Sequence, residues 1–128
     1  MIRITKDQVI SIHSYLIKRF GGFPGTRDDG LLESALGAAF QTFDGKFLYP
    51  TPVSRSAKLA QGLICNHPFV DGNKRVGVTV MGIYLQAEGL ILEASTEDLI
   101  DFGLRIAQEE NLDSLINWIE DHTSSIQH

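Results

Sequence analysis

Hydrophobic positions recur along this chain at three- and four-residue intervals in six stretches, with breakers between them. Val9, Ile12, Leu16 and Phe20 share one helical face, so the spacing predicts a helix over residues 6–20. Thr5 and Gln8 stand at capping-box spacing at its start, and Gly21-Gly22 closes it. A second helix is expected over residues 30–43, with Leu31, Ala35, Ala38 and Ala39 on its inner side and Asp28-Asp29 at its positive end. A third should run over residues 53–67 and stop there, because Pro68 pushes the residue before it out of helical geometry. A fourth is expected over residues 73–88, closed by Gly89. Val76, Val78, Val80, Met81, Ile83, Tyr84 and Leu85 surround it on nearly every side, which belongs in the middle of a core. Ser95 with Asp98 starts a fifth helix facing inward through Leu99, Phe102 and Ile106. Asn111 caps a sixth, whose inner residues are Leu112, Leu115 and Ile119.

Between these elements, GGFPGTRDDG (residues 21–30) is a turn-rich connector, DGKFLYPTP (44–52) predicts a short extended flap, and LILEA (90–94) a brief extended piece. Gly62, Gly77 and Gly82 fall inside helices, where glycine costs about 1 kcal/mol against alanine. Close helix approach is the expected reason. The fold class is all-α: about six helices around a central buried helix, helices three and four forming a hairpin, and residues 1–128 making one domain.

Composition narrows the function. At 43% hydrophobic and 21% charged, the chain can bury an ordinary core. A net charge of −5 argues against a general nucleic-acid or anionic-membrane binder. Cys65 is the one cysteine, so no internal disulfide forms. With a charged N-terminus lacking an apolar signal core, this predicts a cytoplasmic protein. Between Leu63, Ile64 and the helix end, Cys65 reads as buried and inert. His13 reads as a hydrogen-bonded core residue, and His122 and His128 as part of a frayed tail.

The chemistry concentrates in HPFVDGNKRVGV, residues 67–78. Asn73 reads as an N-cap. Gly72 is either a turn glycine or a place where a ligand approaches the backbone. Phe69 reads as a buried anchor of the loop. Lys74 and Arg75 fall in the first turn of the fourth helix, where the helix dipole disfavours each cation by about 0.3–1 kcal/mol. Two successive cations beside exposed N–H groups form an anion trap, and phosphate is the natural guest. Asp71 is either an electrostatic partner of Lys74 or Arg75, or a ligand for Mg²⁺, which shares its shell with phosphate oxygens and water. His67, folded back over the same pocket, would act as a general base toward a hydroxyl.

HPFVDGNKR resembles the signature of the Fic/Doc superfamily, His-Pro-Phe-x-Asp/Glu-Gly-Asn-Gly/Lys-Arg, and GGFPGTRDDGLLESAL resembles the opening region of its death-on-curing branch, the toxins of type II toxin–antitoxin modules. The resemblance implies an all-α Fic fold with ATP and Mg²⁺ as co-substrates. By motif position it makes His67 the catalytic base, Asp71 the metal ligand, Gly72, Asn73, Lys74 and Arg75 the phosphate-binding loop, and Phe69 the anchor. The flap at 44–52 matches the region that positions a target protein. Fic enzymes that transfer AMP carry glycine where Lys74 stands and arginine where Val78 stands. In the death-on-curing branch, a lysine at the first position implies transfer of the γ-phosphate, whereas His67-Pro68 and Gly72 look more like the AMP-transferring form. The self-inhibitory Ser/Thr-x-x-x-Glu-Gly/Asn pattern is not found in the sequence. The expected inhibitor is therefore an antitoxin whose C-terminal helix lies in a groove of this domain. The expected substrate is a Ser or Thr hydroxyl of a cellular protein, such as a translation elongation factor. A non-catalytic partner that modulates its antitoxin's DNA binding is the reading of another class.

Overall fold

The computed structural model describes residues 2–108 and 110–126. Six helices follow in order: α1 (Lys6–Phe20), α2 (Asp29–Ala39), α3 (Pro52–Cys65), α4 (Asn73–Ala87), α5 (Thr96–Ala107) and α6 (Leu112–Asp121). Two small antiparallel sheets complete the described residues. β1 (Thr42–Phe43) pairs with β2 (Lys46–Phe47), and β3 (Leu90–Leu92) pairs with β4 (Thr123–Ser125). The all-α class is therefore as the sequence predicts.

Local chemistry starts most of the helices. Thr5 and Gln8 exchange the two bonds of a capping box at α1, as Ser95 and Asp98 do at α5. Asp28 caps α2 through the Leu31 N–H, and Asn111 caps α6 through the Ser114 N–H. α3 packs most extensively on α4 and α2. On one side of this pair, α1 and α2 enclose a core containing Val9, Leu16, Leu32, Leu63, Phe69 and Val80. On the other, α5 and α6 enclose a second core containing Ile64, Met81, Leu85, Phe102, Leu115 and Ile119. α4 serves both cores, and its Val76, Val80, Met81, Tyr84 and Leu85 are fully buried. Ile83 departs from the expected all-round burial and is exposed.

Glycine permits the closest approaches. A Cβ on Gly77 would lie 2.5 Å from Ile64 Cγ1, and one on Gly62 would lie 2.8 Å from Ala35 Cβ. Gly82 does not share this role, since its nearest neighbour would be Leu92 Cδ2 at 3.7 Å. Because Ile64 is itself buried and cannot swing clear, Gly77→Ala should destabilise the protein by about 1–3 kcal/mol in urea unfolding. Gly82→Ala should be neutral or stabilising.

Several expectations yield to tertiary contacts. α2 ends at Ala39 and not at residue 43. Phe40 leaves the helix to pack edge-on against Tyr84, at 5.3 Å between ring centres. Asp44 and Gly45, both at positive φ, then turn the chain into the β1–β2 hairpin. The flap thus begins two residues earlier than expected. The buried side of α2 is also rotated, with Leu32 and Leu36 inside beside Ala35 and Ala39. α3 stops at Cys65, two residues before His67. Phe20 ends the apolar stripe of α1 but is exposed. His122 is not in a frayed tail. Its ring stacks on Trp118 at 3.8 Å, its Nδ1 donates to the Trp118 carbonyl, and β4 follows directly. His128 lies outside the described residues. Among the described residues, no helix is long and apolar enough to cross a membrane.

Candidate functional site

The loop between α3 and α4 is held from three directions. Phe69 is buried and stacks on His13, with 3.8 Å between ring centres and 6° between planes. Burying such a ring contributes about 1.5–3 kcal/mol to holding the loop. His13 Nε2 donates to the Asp71 carbonyl at 2.8 Å, which confirms its place as a hydrogen-bonded core residue. Asn73 turns its side chain back on the loop: its Oδ1 accepts from the Phe69 N–H and its Nδ2 donates to the Phe69 carbonyl, both at 3.0 Å. Asn73 is therefore not the N-cap that its position suggests. The cap is Gly72, in the left-handed region at φ 78°, and no side chain caps the helix. Gly72 is thus required by the turn.

The third support is the connector between α1 and α2. Val70 N–H donates to the Gly25 carbonyl, and the Arg27 and Asp28 N–H groups both donate to the Pro68 carbonyl. The Arg27 guanidinium reaches further, donating to the His67 carbonyl at 2.7 Å and the Asn66 carbonyl at 3.0 Å. The sequence treats Arg27 as one residue of a turn-rich segment. Its only local signal is a lone cation among glycines and aspartates.

These supports leave the start of α4 open on a cavity of about 610 Å³, within the range of small-molecule sites. Asp71, Gly72, Asn73, Lys74 and Arg75 line its polar end. Phe20 and Leu16 of α1 and Leu99, Ile100 and Leu104 of α5 line its apolar sides. The first-turn N–H groups of α4 have no intrahelical acceptor and the turn itself holds no acidic residue, so the helix dipole and the two cations favour an anion at this end of the cavity. Lys74 passes α5 at Gly103, where a Cβ would lie 3.7 Å from Lys74 Cβ. The Arg75 guanidinium lies over the Phe20 ring, 4.7 Å from its centre. Phe20 is thus exposed but lines the cavity with a cation against its face.

Asp71 pairs with neither cation. Its Oδ2 accepts from the Phe23 N–H at 3.1 Å and its Oδ1 from the Gly72 N–H at 2.8 Å. These two bonds are the main reason its carboxyl is held below the usual range, so it is ionised at neutral pH. Each oxygen keeps a lone pair for a cation. No cluster of three or more His, Cys, Asp or Glu suited to a metal exists among the described residues. This donor set fits Mg²⁺, which takes one carboxylate and completes its shell with phosphate oxygens and water.

His67, expected to fold back over the same pocket, is not among the residues lining this cavity; it stands in the loop, exposed to solvent. Its φ is +51°, a left-handed angle that an L-residue keeps only when its surroundings impose it. Its Nδ1 lies 3.2 Å from the Cys65 carbonyl. A carbonyl only accepts, so Nδ1 carries the proton, and the lone pair of the neutral ring sits on Nε2. Cys65 is partly buried, with its thiol directed at the Ile106 carbonyl.

The sequence is similar to two relatives of known name. It is 37% identical over 87 residues to a protein named Toxin Doc from Mycolicibacterium smegmatis, covering 64% of this chain and 67% of that one. It is 28% identical over 102 residues to the Protein kinase doc of Escherichia phage P1, covering 76% of each. The Fic/DOC family profile matches residues 3–85, which include the connector, the flap, nearly all of the α3–α4 hairpin and the whole loop between its helices. The chain belongs to the Fic/DOC family.

Proposed function

We propose that this protein is the toxin of a toxin–antitoxin module, a cytoplasmic enzyme that transfers the γ-phosphate of ATP to a Ser or Thr hydroxyl of a target protein, such as a translation elongation factor. The observation that carries the reading is the start of α4: without a side-chain cap, left-handed at Gly72, and flanked by Asp71, Lys74 and Arg75 on one cavity wall. Such an end binds polyphosphate through N–H groups, the helix dipole and two cations. The names of the two relatives support the toxin and kinase assignments.

In this reading Gly72, Asn73, Lys74 and Arg75 form the phosphate loop, and Asp71 is the carboxylate that holds Mg²⁺. Bound there, the ion would neutralise phosphate charge. Phe69 and the Asn73 amide keep the loop still. His67 Nε2 takes the proton of the acceptor hydroxyl as its oxygen bonds to the γ-phosphorus and the bond to ADP breaks. A protein acceptor can reach the site only from solvent, where His67 stands. Lys74 favours γ-transfer because a long cation in the trap decides which phosphorus faces the acceptor, and in-line transfer depends on that placement. A partner antitoxin would silence the enzyme by laying its C-terminal helix in a groove of the domain.

The second reading is AMP transfer, favoured by Gly72 and the His67-Pro68 pair. ATP labelled at the α or the γ position, incubated with the protein, Mg²⁺ and cell extract, separates the two. Protein-bound label should come from the γ position; label from the α position would replace kinase by nucleotidyl transfer. Label from neither, with growth unaffected on expression, would leave the non-catalytic partner that tunes antitoxin DNA binding.

A further inference from the structure

The left-handed conformation of His67 needs an agent outside its own loop. Pro68 follows it and Asn66 ends α3, but neither residue directs φ to +51°. Among the described residues, the side chain that grips this point is Arg27, with its Nε on the His67 carbonyl and a terminal nitrogen on the Asn66 carbonyl. Two donors in a rigid fork fix the orientation of two successive peptide planes, which a single point charge does not do. The Arg27 and Asp28 N–H groups hold the next carbonyl, that of Pro68, at 2.7 and 3.0 Å. Three consecutive carbonyls, 66 to 68, are thereby clamped by one two-residue stretch of the connector. With the backbone so turned, the His67 ring folds back to place Nδ1 on the Cys65 carbonyl, and Nε2 makes no hydrogen bond among the described residues.

We propose that Arg27 is a positioning residue for His67: by gripping the Asn66 and His67 carbonyls it sets the backbone that selects the Nδ1–H form of the ring and leaves the Nε2 lone pair facing the acceptor. The inference rests on the assignment of His67 as the base, and it extends that assignment to a residue of a different segment. Arg27 does not line the cavity and touches neither the phosphate loop nor Asp71 by any described hydrogen bond. Its removal therefore acts on the base and not on nucleotide binding.

The test uses the intact protein labelled with ¹⁵N at histidine. In the parent, the neutral His67 ring should be read by ¹⁵N–¹H correlation as the Nδ1–H tautomer. In Arg27→Ala the signal should move toward the Nε2–H tautomer. Phosphate transfer should fall by about 10–100-fold in kcat, with the KM for ATP unchanged. Arg27→Lys, which retains one donor toward these carbonyls, should recover part of both readouts. If Arg27→Ala does not fold, Arg27→Met keeps the aliphatic stem and carries the same expectations. An unchanged tautomer in the folded variant overturns the proposal, as does a KM for ATP that rises as far as kcat falls. If the parent transfers no phosphate, the function proposed above fails on its own. The tautomer then still decides whether Arg27 sets the His67 ring.

Discussion

A His67→Gly protein should fold as stably as the parent and lose phosphate transfer by about 10²–10⁴-fold, the usual contribution of a positioned general base. The two halves of this result have separate causes. His67 holds φ at +51°, which costs an L-residue about 1–2 kcal/mol that glycine is spared. Glycine in turn loses about 0.5–1 kcal/mol more backbone entropy on folding. The side chain is exposed, and its single bond to the Cys65 carbonyl is easily replaced by water. The terms nearly cancel, so the melting temperature followed by circular dichroism should stay within about 5 °C. Growth arrest on expression, and transfer of label from the γ-phosphate, should both disappear. Either one kept at the parent level would remove His67 from the chemistry. A fall in melting temperature well beyond that window would make the left-handed residue a structural one.

Glu88→Ala should be among the most destabilising single substitutions in the protein, at about 3 kcal/mol, and should act far from the cavity. Arg55 is buried. Its Nε donates to the Tyr84 hydroxyl at 2.7 Å, one terminal nitrogen donates to the Tyr49 carbonyl at 2.9 Å, and the other meets Glu88 Oε2 at 2.8 Å. The Tyr84 hydroxyl donates in turn to the same Glu88 oxygen at 2.8 Å. Burial, the largest cause, pushes the Tyr84 phenol up to about 12, so it stays protonated and donating throughout the physiological range. Removing Glu88 strands a desolvated guanidinium with no counter-charge in the network, and breaking a buried pair from one side costs about 3–5 kcal/mol. Partial exposure of Glu88 favours the lower figure. Urea unfolding should show the loss, while Tyr84→Phe should cost only about 1 kcal/mol. Replacing both charges together, Arg55→Met with Glu88→Leu, should recover most of the stability, because no buried charge is then left unpaired. Unchanged stability in the single Glu88→Ala protein would show the network to be dispensable. Arg55 precedes the end of α3 by ten residues, about 15 Å of helix, so nucleotide binding should persist in every folded variant.

Much of the fold was legible because helix signals act over three or four residues. Thr5 with Gln8, Ser95 with Asp98, and Asn111 with Ser114 each close a cap within one turn. Where two local signals competed, the longer-range one decided. The apolar spacing of α2 continues through Phe40, yet the helix stops because Phe40 is drawn onto Tyr84. Asn73 has the chemistry of a cap, but its amide is taken by Phe69. Phe20 keeps helical period with Leu16 but stays exposed, with the Arg75 guanidinium against one face of its ring.

The sequence by itself determined the helical class, through caps and apolar spacings that each close within a few residues, and it placed Asp71, Gly72, Lys74 and Arg75 together at one helix start, because they are consecutive or nearly so along the chain. Only the tertiary structure decided which groups are set and how. His13 fixes the Asp71 carbonyl from 58 residues away, and Phe23 fixes its carboxylate from 48. Arg27 grips carbonyls 39 and 40 residues distant. No periodicity records such contacts, because they exist only once the α3–α4 hairpin has packed and brought the connector across its open end.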